Sequence, residues 1–138
     1  MQNMNDVNIL DASAALAFLQ REVGEAVVAE AFDTAPCWMS TANICEVMSK
    51  LCEKGVPADE ARGAVDDLGV IARVFDAQTA FLAASIRIRT KAIGASLGDR
   101  ACLAAAHQAL DSHAVPVVYT AERAWAKLSW PFRITLLR

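Results

Sequence analysis

Apolar and polar positions alternate along this chain in short blocks, without a linker, repeat or low-complexity segment between them. Brief apolar runs predict five buried strands, at residues 7–10, 37–40, 70–75, 116–119 and 132–136. Segments in which apolar residues recur at helical spacing predict the helices, at residues 13–19, 22–32, 42–53, 57–68, 77–89, 100–110 and 122–127. Residues 94–98, which begin and end with glycine, are expected to form a loop.

Strands that alternate with helices favour an α/β fold, in which a mainly parallel sheet is covered by helices on both faces. A length of 138 residues fits a single domain. In parallel sheets, functional sites form beyond the carboxyl ends of the strands. Polar residues at those ends are therefore the first candidates for a site.

Four acidic residues occupy such positions. Asp11 directly follows the first strand, and Glu46 lies in the helix after the second. Asp99 precedes the helix at 100–110, and Glu122 follows the strand at 116–119. If the strands are parallel, the four carboxylates lie toward one edge of the sheet. Several carboxylates without a cluster of His or Cys suit a hard divalent cation such as Mg²⁺ or Mn²⁺.

Each acid also has a purely structural explanation. Asp11 and Asp99 are both placed to be helix N-caps. Glu46 and Lys50 have the order that favours an exposed ion pair on a helix, and Glu122 fits the first turn of a short helix. The apolar stripe of the helix that carries Glu46 is expected on another face, at Ile44, Cys45, Met48, Leu51 and Cys52.

Composition narrows the class of protein. The chain is 55% hydrophobic and 21% charged, which is typical of a folded domain. Its net charge of −3 argues mildly against a broad phosphate-binding surface, although four carboxylates gathered at one site would leave the remainder slightly basic. Apolar runs such as 101–106 are too short to span a bilayer, and residues 1–6 do not resemble a signal peptide. We therefore expect no membrane association.

The four cysteines, Cys37, Cys45, Cys52 and Cys102, form no C-x-x-C pair and are expected to be buried free thiols in a reducing cytosol. A basic run at Arg87, Arg89 and Lys91 precedes the loop that leads to Asp99. That run is either a solvated face or a surface that steers phosphate groups toward the acids.

Four segments resemble, in order, the motifs of PIN-domain proteins. They are residues 7–14 (VNILDASA), 40–47 (STANICEV), 97–104 (LGDRACLA) and 119–125 (YTAERAW). The third is very similar to the form that VapC-type toxins carry. Each motif alone is weak, whereas four in sequence over nearly the whole chain are specific. One departure is Glu122, where many relatives have Asp or Asn.

The resemblance implies a PIN-like three-layer α/β/α sandwich in which Asp11, Glu46, Asp99 and, less directly, Glu122 hold Mg²⁺ or Mn²⁺. It implies that the hydroxyls of Ser13 and Thr120 orient the carboxylates. Arg100 is expected to pair with an acid or to contact a phosphate; both alternatives stay open.

The resemblance further implies hydrolysis of RNA phosphodiester bonds, with tRNA or another structured RNA as substrate. It also implies a cytoplasmic homodimer inhibited by a small cognate antitoxin. One alternative is a PIN nuclease that processes RNA without an antitoxin. Another is a Mg²⁺-binding phospho-acceptor module; such modules have paired acids after the first strand and a lysine after a late strand, where this chain has Asp11 alone and Thr120-Ala121-Glu122.

Overall fold

The structure, a computed structural model, describes residues 5–138. Within them, five strands form one sheet with the order β3-β2-β1-β4-β5, and every neighbouring pair is parallel. The strands are β1 (Asp6–Leu10), β2 (Cys37–Ser40), β3 (Ile71–Arg73), β4 (Val115–Thr120) and β5 (Arg133–Leu136). The predicted α/β fold with a parallel sheet is confirmed.

Helices connect the strands and cover the sheet. They are α1 (Ala12–Leu19), α2 (Glu25–Thr34), α3 (Thr41–Glu53), α4 (Ala58–Asp66), α5 (Ala77–Ser85), α6 (Arg87–Thr90) and α7 (Leu97–Asp111). Short 3₁₀ turns at Lys91–Ile93 and Arg123–Lys127 complete the connections to α7 and β5. No helix among residues 5–138 has the length and apolar character needed to cross a membrane.

The central strand β1 contributes to a core on each face of the sheet, because successive side chains of a strand point in opposite directions. Leu10 packs with residues of α1–α4 in one core. Val7 and Ile9 pack in the other, with α7 and with Trp125. Burial on both faces explains why Val7, Ile9 and Leu10 are all apolar although they do not share one face of the strand.

Two predicted boundaries were wrong for reasons of pairing and capping. The third strand was expected at 70–75, but β3 spans Ile71–Arg73 because its partner β2 ends at Ser40, opposite Arg73. The helix expected at 100–110 begins at Leu97, since Ser96 is its N-cap. The expected loop at 94–98 is therefore shorter than predicted.

The long helix predicted at 77–89 is interrupted. Ile86 has φ −96° and ψ 4°, which ends α5 and starts the short helix α6. The hydroxyl of Thr90 then donates to the carbonyl of Ile86 at 2.7 Å. The break turns the chain toward the start of α7 without a glycine or proline to mark it in the sequence.

The expected apolar face of α3 is correct for Leu51, which is buried, and for Ile44 and Met48, which pack against the core, but it is wrong for the two cysteines. The buried residues of α3 are Asn43, Val47 and Leu51, whereas Cys45 and Cys52 are exposed. The prediction of buried thiols is thus correct for Cys37 and Cys102 and wrong for the two cysteines of α3. The alternative in which Glu46 forms an ion pair with Lys50 is wrong too, because the ion pair of Lys50 is with Glu53, at 3.8 Å.

Candidate active site

Asp11 lies at the carboxyl end of β1 and caps the N-terminus of α1. Its side chain is only 3% exposed. Oδ1 accepts hydrogen bonds from the Ser13 hydroxyl at 2.6 Å and the Ala14 N–H at 2.8 Å, while Oδ2 accepts one from the Thr120 hydroxyl at 2.6 Å. Asp11 is therefore a helix cap, as one interpretation expected, and also the buried centre of a network that joins β1, α1 and β4.

Both hydroxyl protons in this network point at Asp11 for a definite reason. The Ser13 oxygen accepts the Ala121 N–H at 2.9 Å, and the Thr120 oxygen accepts the Glu122 N–H at 2.9 Å. A hydroxyl has one proton to donate, and each oxygen already accepts a backbone N–H. The protons are thus left for the carboxylate, which is held in one orientation from two sides.

The pKa of Asp11 is raised from its ordinary value of 3.8 to about 6. Burial is the largest cause because it disfavours the charged form, and the negative charge of Asp99 adds to it. The hydrogen bonds from Ser13, Thr120 and Ala14 act in the opposite direction and offset part of the rise. A buried carboxylate of this kind gains from a nearby cation.

Glu46, on α3, lies against the first turn of α7. Its Oε1 accepts a 2.8 Å hydrogen bond from the side-chain amide of Asn43. The same amide donates to the carbonyl of Gly98 at 2.9 Å. A Cβ on Gly98 would collide with the Glu46 carboxylate. Glu46 is thus half-buried at this contact, although the apolar pattern of α3 had predicted a solvated side chain.

Asp99 occupies the third position of α7. The interpretation of Asp99 as the N-cap is wrong, because the N-cap is Ser96. Its Oδ2 accepts the backbone N–H of Ser96 at 2.9 Å, and the Ser96 hydroxyl accepts the N–H of Asp99 at 3.1 Å. This reciprocal pair is a capping box, which satisfies two backbone donors at the helix start. The Asp99 carboxylate is therefore attached to the helix terminus while remaining half-exposed.

Asp11, Asp99 and Glu46 all act on one buried thiol, that of Cys102 in the first turns of α7. Burial raises the pKa of Cys102 well above its ordinary value, and the three carboxylates raise it further, in that order. Three negative groups thus lie around the N-terminal part of α7. Among residues 5–138, however, no three acidic, His or Cys side chains are close enough to form a complete ligand set.

Glu122 stands apart from these three acids. Its N–H belongs to the Asp11 network through Thr120, but its side chain is exposed and caps no helix. The predicted short helix around it is a 3₁₀ turn that begins at Arg123. Glu122 is not among the carboxylates whose charge raises the pKa of Cys102.

Arg100, next to Asp99 on α7, is turned toward the neighbouring helix. Its Nη1 donates to the carbonyl of Ala83 at 3.0 Å, which connects α7 with the end of α5. Its Nε is buried and has no hydrogen-bond partner in the part of the chain that the structure describes. The structure therefore assigns this side chain to a helix–helix contact.

The three residues of the predicted basic run have different contacts. Arg87 approaches the carbonyl of Ala95 at 3.5 Å, in the segment before α7. The guanidinium of Arg89 lies 4.3 Å from the centre of the Trp130 ring, in a cation–π contact. Lys91 is exposed. Of the three, Arg87 is the one in contact with the segment that leads to Asp99.

Sequence reasoning missed Asn43, Gly98 and Cys102. The signal for Asn43 was present, because it lies three residues before Glu46 on a helix, where side chains are neighbours. Gly98 was interpreted as part of a loop. Its contact with α3 depends on two helices whose relative position is decided by the tertiary fold.

Comparisons with known proteins agree with this architecture. The sequence profile of the PIN domain matches residues 9–131. A chain of the DNA-bound VapBC complex from Salmonella typhimurium superposes with a TM-score of 0.67 at 15% identity, covering all of both chains. A chain of VapBC2 from Rickettsia felis, bound to a promoter DNA fragment, gives 0.60 at 14% identity and covers 94% of this chain and 98% of that one. No curated protein sequence matches.

At these identities the two solved structures establish a shared fold. The profile match spans most of the chain and includes the segments around Asp11, Glu46, Asp99 and Glu122. The chain belongs to the PIN-domain family.

Proposed function

We propose that this protein is a divalent-metal-dependent endoribonuclease and the toxin of a toxin–antitoxin pair. PIN-domain proteins are generally nucleases. The observation that carries the proposal is the buried Asp11 carboxylate at the end of the central strand, which is held by two hydroxyls and acted on by the charge of Asp99. Among residues 5–138 no basic side chain forms an ion pair with Asp11, so a bound metal ion would supply the missing positive charge.

The donor set fits Mg²⁺ or Mn²⁺. Asp11, Glu46 and Asp99 offer oxygen atoms, which hard cations prefer. These ions usually keep several waters, which suits carboxylates that are neighbours without forming a complete ligand set. Glu122, being exposed, is proposed as an outer contributor. A bound ion would lower the pKa of a water molecule for attack on the phosphodiester and offset the charge on the leaving oxygen.

The chain's own residues supply position and charge. Ser13 and Thr120 keep the Asp11 carboxylate in one orientation, so little reorganisation is needed when the substrate arrives. Lys91 is proposed to contact the phosphates of the RNA, since it is exposed in the segment before α7, whereas Arg87 already contacts the carbonyl of Ala95. Arg89 and Arg100, which already have contacts within the fold, are weaker candidates for that role.

The test is cleavage by protein purified free of any partner. We expect RNA cleavage with Mg²⁺ or Mn²⁺, none in EDTA, and none by Asp11→Asn. The cleavage rate of a DNA strand of the same sequence shows whether RNA is the preferred substrate. A second comparison, of the cleavage rates of tRNA and unstructured RNA, shows whether RNA structure is recognised. Cleavage that persists in EDTA would contradict the metal mechanism.

The toxin role is supported by the likeness to chains of VapBC complexes and by the segment at 97–104. We propose a small antitoxin as the partner and the cytoplasm as the site of action, where exposed free thiols such as Cys45 stay reduced. Expression of this chain alone should arrest bacterial growth, and Asp11→Ala should not. Equal growth at equal expression would favour an RNA-processing nuclease without an antitoxin.

We also propose a homodimer formed through the exposed side of α5 and α6, here called the α5 face (Ala77, Ala80, Phe81, Ala84 and Ile88). Phe81 is 72% and Ile88 84% exposed, while the opposite side of these helices is buried against the fold. Asp76 lies at one end of the face and Arg87 at the other. A two-fold axis would place Asp76 of one copy near Arg87 of the second, with small alanines between.

A further inference from the structure

The buried side chain of Asn43 donates hydrogen bonds to two oxygen atoms, while its own oxygen accepts none from the described residues. It is 1% exposed, and its Nδ2 donates both to Glu46 Oε1 and to the Gly98 carbonyl. Exchanging the amide oxygen and nitrogen would place an oxygen against two other oxygens, so the orientation is decided by its neighbours. Oδ1 is buried and accepts no hydrogen bond from any of residues 5–138. The cost of that orphaned acceptor indicates that both Nδ2 contacts are worth keeping.

Gly98 meets the same carboxylate from the other side. It lies in the first turn of α7, where alanine is normally the better helix former. A Cβ there would collide with Oε1 and lie 2.7 Å from Oε2 of Glu46. Glycine therefore permits the carboxylate to rest against the start of α7, one residue before Asp99.

We propose that Asn43 and Gly98 are positioning residues that hold the Glu46 carboxylate beside Asp99 for divalent-cation binding. The inference rests on the proposed function. Without these contacts the Glu46 side chain would be free to rotate, and fixing it in advance removes the entropy cost of ordering it when the cation binds. Asn43 and Gly98 themselves need not contact the ion.

The first test is Mn²⁺ binding by the purified apo protein, measured from the electron paramagnetic resonance signal of free Mn²⁺. Asn43→Ala should weaken binding about tenfold or more, as loss of groups that orient metal ligands generally does. The same change made in a Glu46→Ala background should have almost no further effect, because Asn43 acts through Glu46. A thermal melt of each variant reports whether the fold is retained.

A second variant separates positioning from stability. Gly98→Ala should weaken Mn²⁺ binding by displacing Glu46, while the melting temperature stays equal or rises because alanine favours the helix. Gly63→Ala in α4 is the matched control, since no atom lies within 4 Å of a Cβ at Gly63. That control should leave Mn²⁺ affinity unchanged.

The outcomes distinguish this inference from the proposed function. Wild-type protein that binds no Mn²⁺ would overturn both. Wild-type binding that Asn43→Ala and Gly98→Ala leave unaltered would overturn the positioning role alone. An Asn43→Ala loss that is equally large without Glu46 would also overturn it, because the side chain would then act by another route.

Discussion

The hydroxyl of Thr120 donates a 2.6 Å hydrogen bond to Oδ2 of Asp11, so two residues 109 positions apart form one buried unit. Strands β1 and β4 are neighbours and run parallel, with Leu10 opposite Tyr119. The residues that follow these two positions therefore meet at the same edge of the sheet. This pairing orients the most buried carboxylate of the candidate site.

Thr120→Val should lower both stability and nuclease activity. The substitution keeps the shape but removes the donor to Asp11 and the acceptor for the Glu122 N–H. We expect the free energy of unfolding in EDTA to fall by about 1–3 kcal/mol. Thr90→Val is the matched control, because it removes another buried hydroxyl bond, to Ile86, away from the acids. A comparable loss of cleavage in both variants would indicate destabilisation alone.

The stability of the apo protein should decrease as pH rises through about 6 because of Asp11. Folding raises its pKa from 3.8 to about 6, so the native state retains a proton that the unfolded state has released. The retained proton adds fully to the free energy of unfolding below the pKa of the unfolded state, 3.8, and adds nothing above the pKa of the folded state, about 6. The difference is on the order of 3 kcal/mol.

The measurement compares urea unfolding of wild type and Asp11→Asn in EDTA across this pH range. The pKa of His107 is lowered by burial and by Arg89, which gives an opposite slope, but His107 is common to both proteins. The difference between the two curves therefore isolates Asp11. A difference that does not change with pH would contradict the raised pKa.

Asp99→Asn should abolish cleavage while leaving the capping box largely intact, since an amide oxygen can still accept the Ser96 N–H. Ser96→Ala is the complementary variant, which breaks the cap and keeps the carboxylate. It should cost about 1 kcal/mol of stability and retain cleavage. Thermal melts with Mg²⁺ at constant ionic strength should show stabilisation of Ser96→Ala but not of Asp99→Asn. Cleavage and Mg²⁺ stabilisation that are both retained by Asp99→Asn would make Asp99 a structural cap only.

Phe81→Asp should convert the proposed dimer into a monomer, because it places a charge in the centre of the α5 face. Val23→Asp is the matched control, as Val23 is also 72% exposed but lies before α2. Light scattering after size-exclusion chromatography measures the mass of each variant. Wild-type protein that is monomeric at all accessible concentrations would remove the dimer from the proposal.

Local sequence patterns are enough to predict the order and type of nearly all helices and strands. Period-two and period-3.6 patterns separate strands from helices because burial depends on which side chains share a face. The rule that sites lie beyond parallel strands pointed to Asp11, Glu46, Asp99 and Glu122, and the family motifs contain the same four positions. Resemblance also identified Ser13 and Thr120, whose contacts with Asp11 the structure shows.

The contacts among those residues depend on how the helices and strands pack together. The face of α3 that is buried depends on its contacts with α1, α4 and α7, and this turned Cys45 outward and Asn43 inward. The contact between Glu46 and Gly98 likewise joins residues of two helices, so no local pattern contains it. Helix and strand periods report the shape of one element, whereas burial and pKa are set by the neighbours that packing brings from elsewhere in the chain.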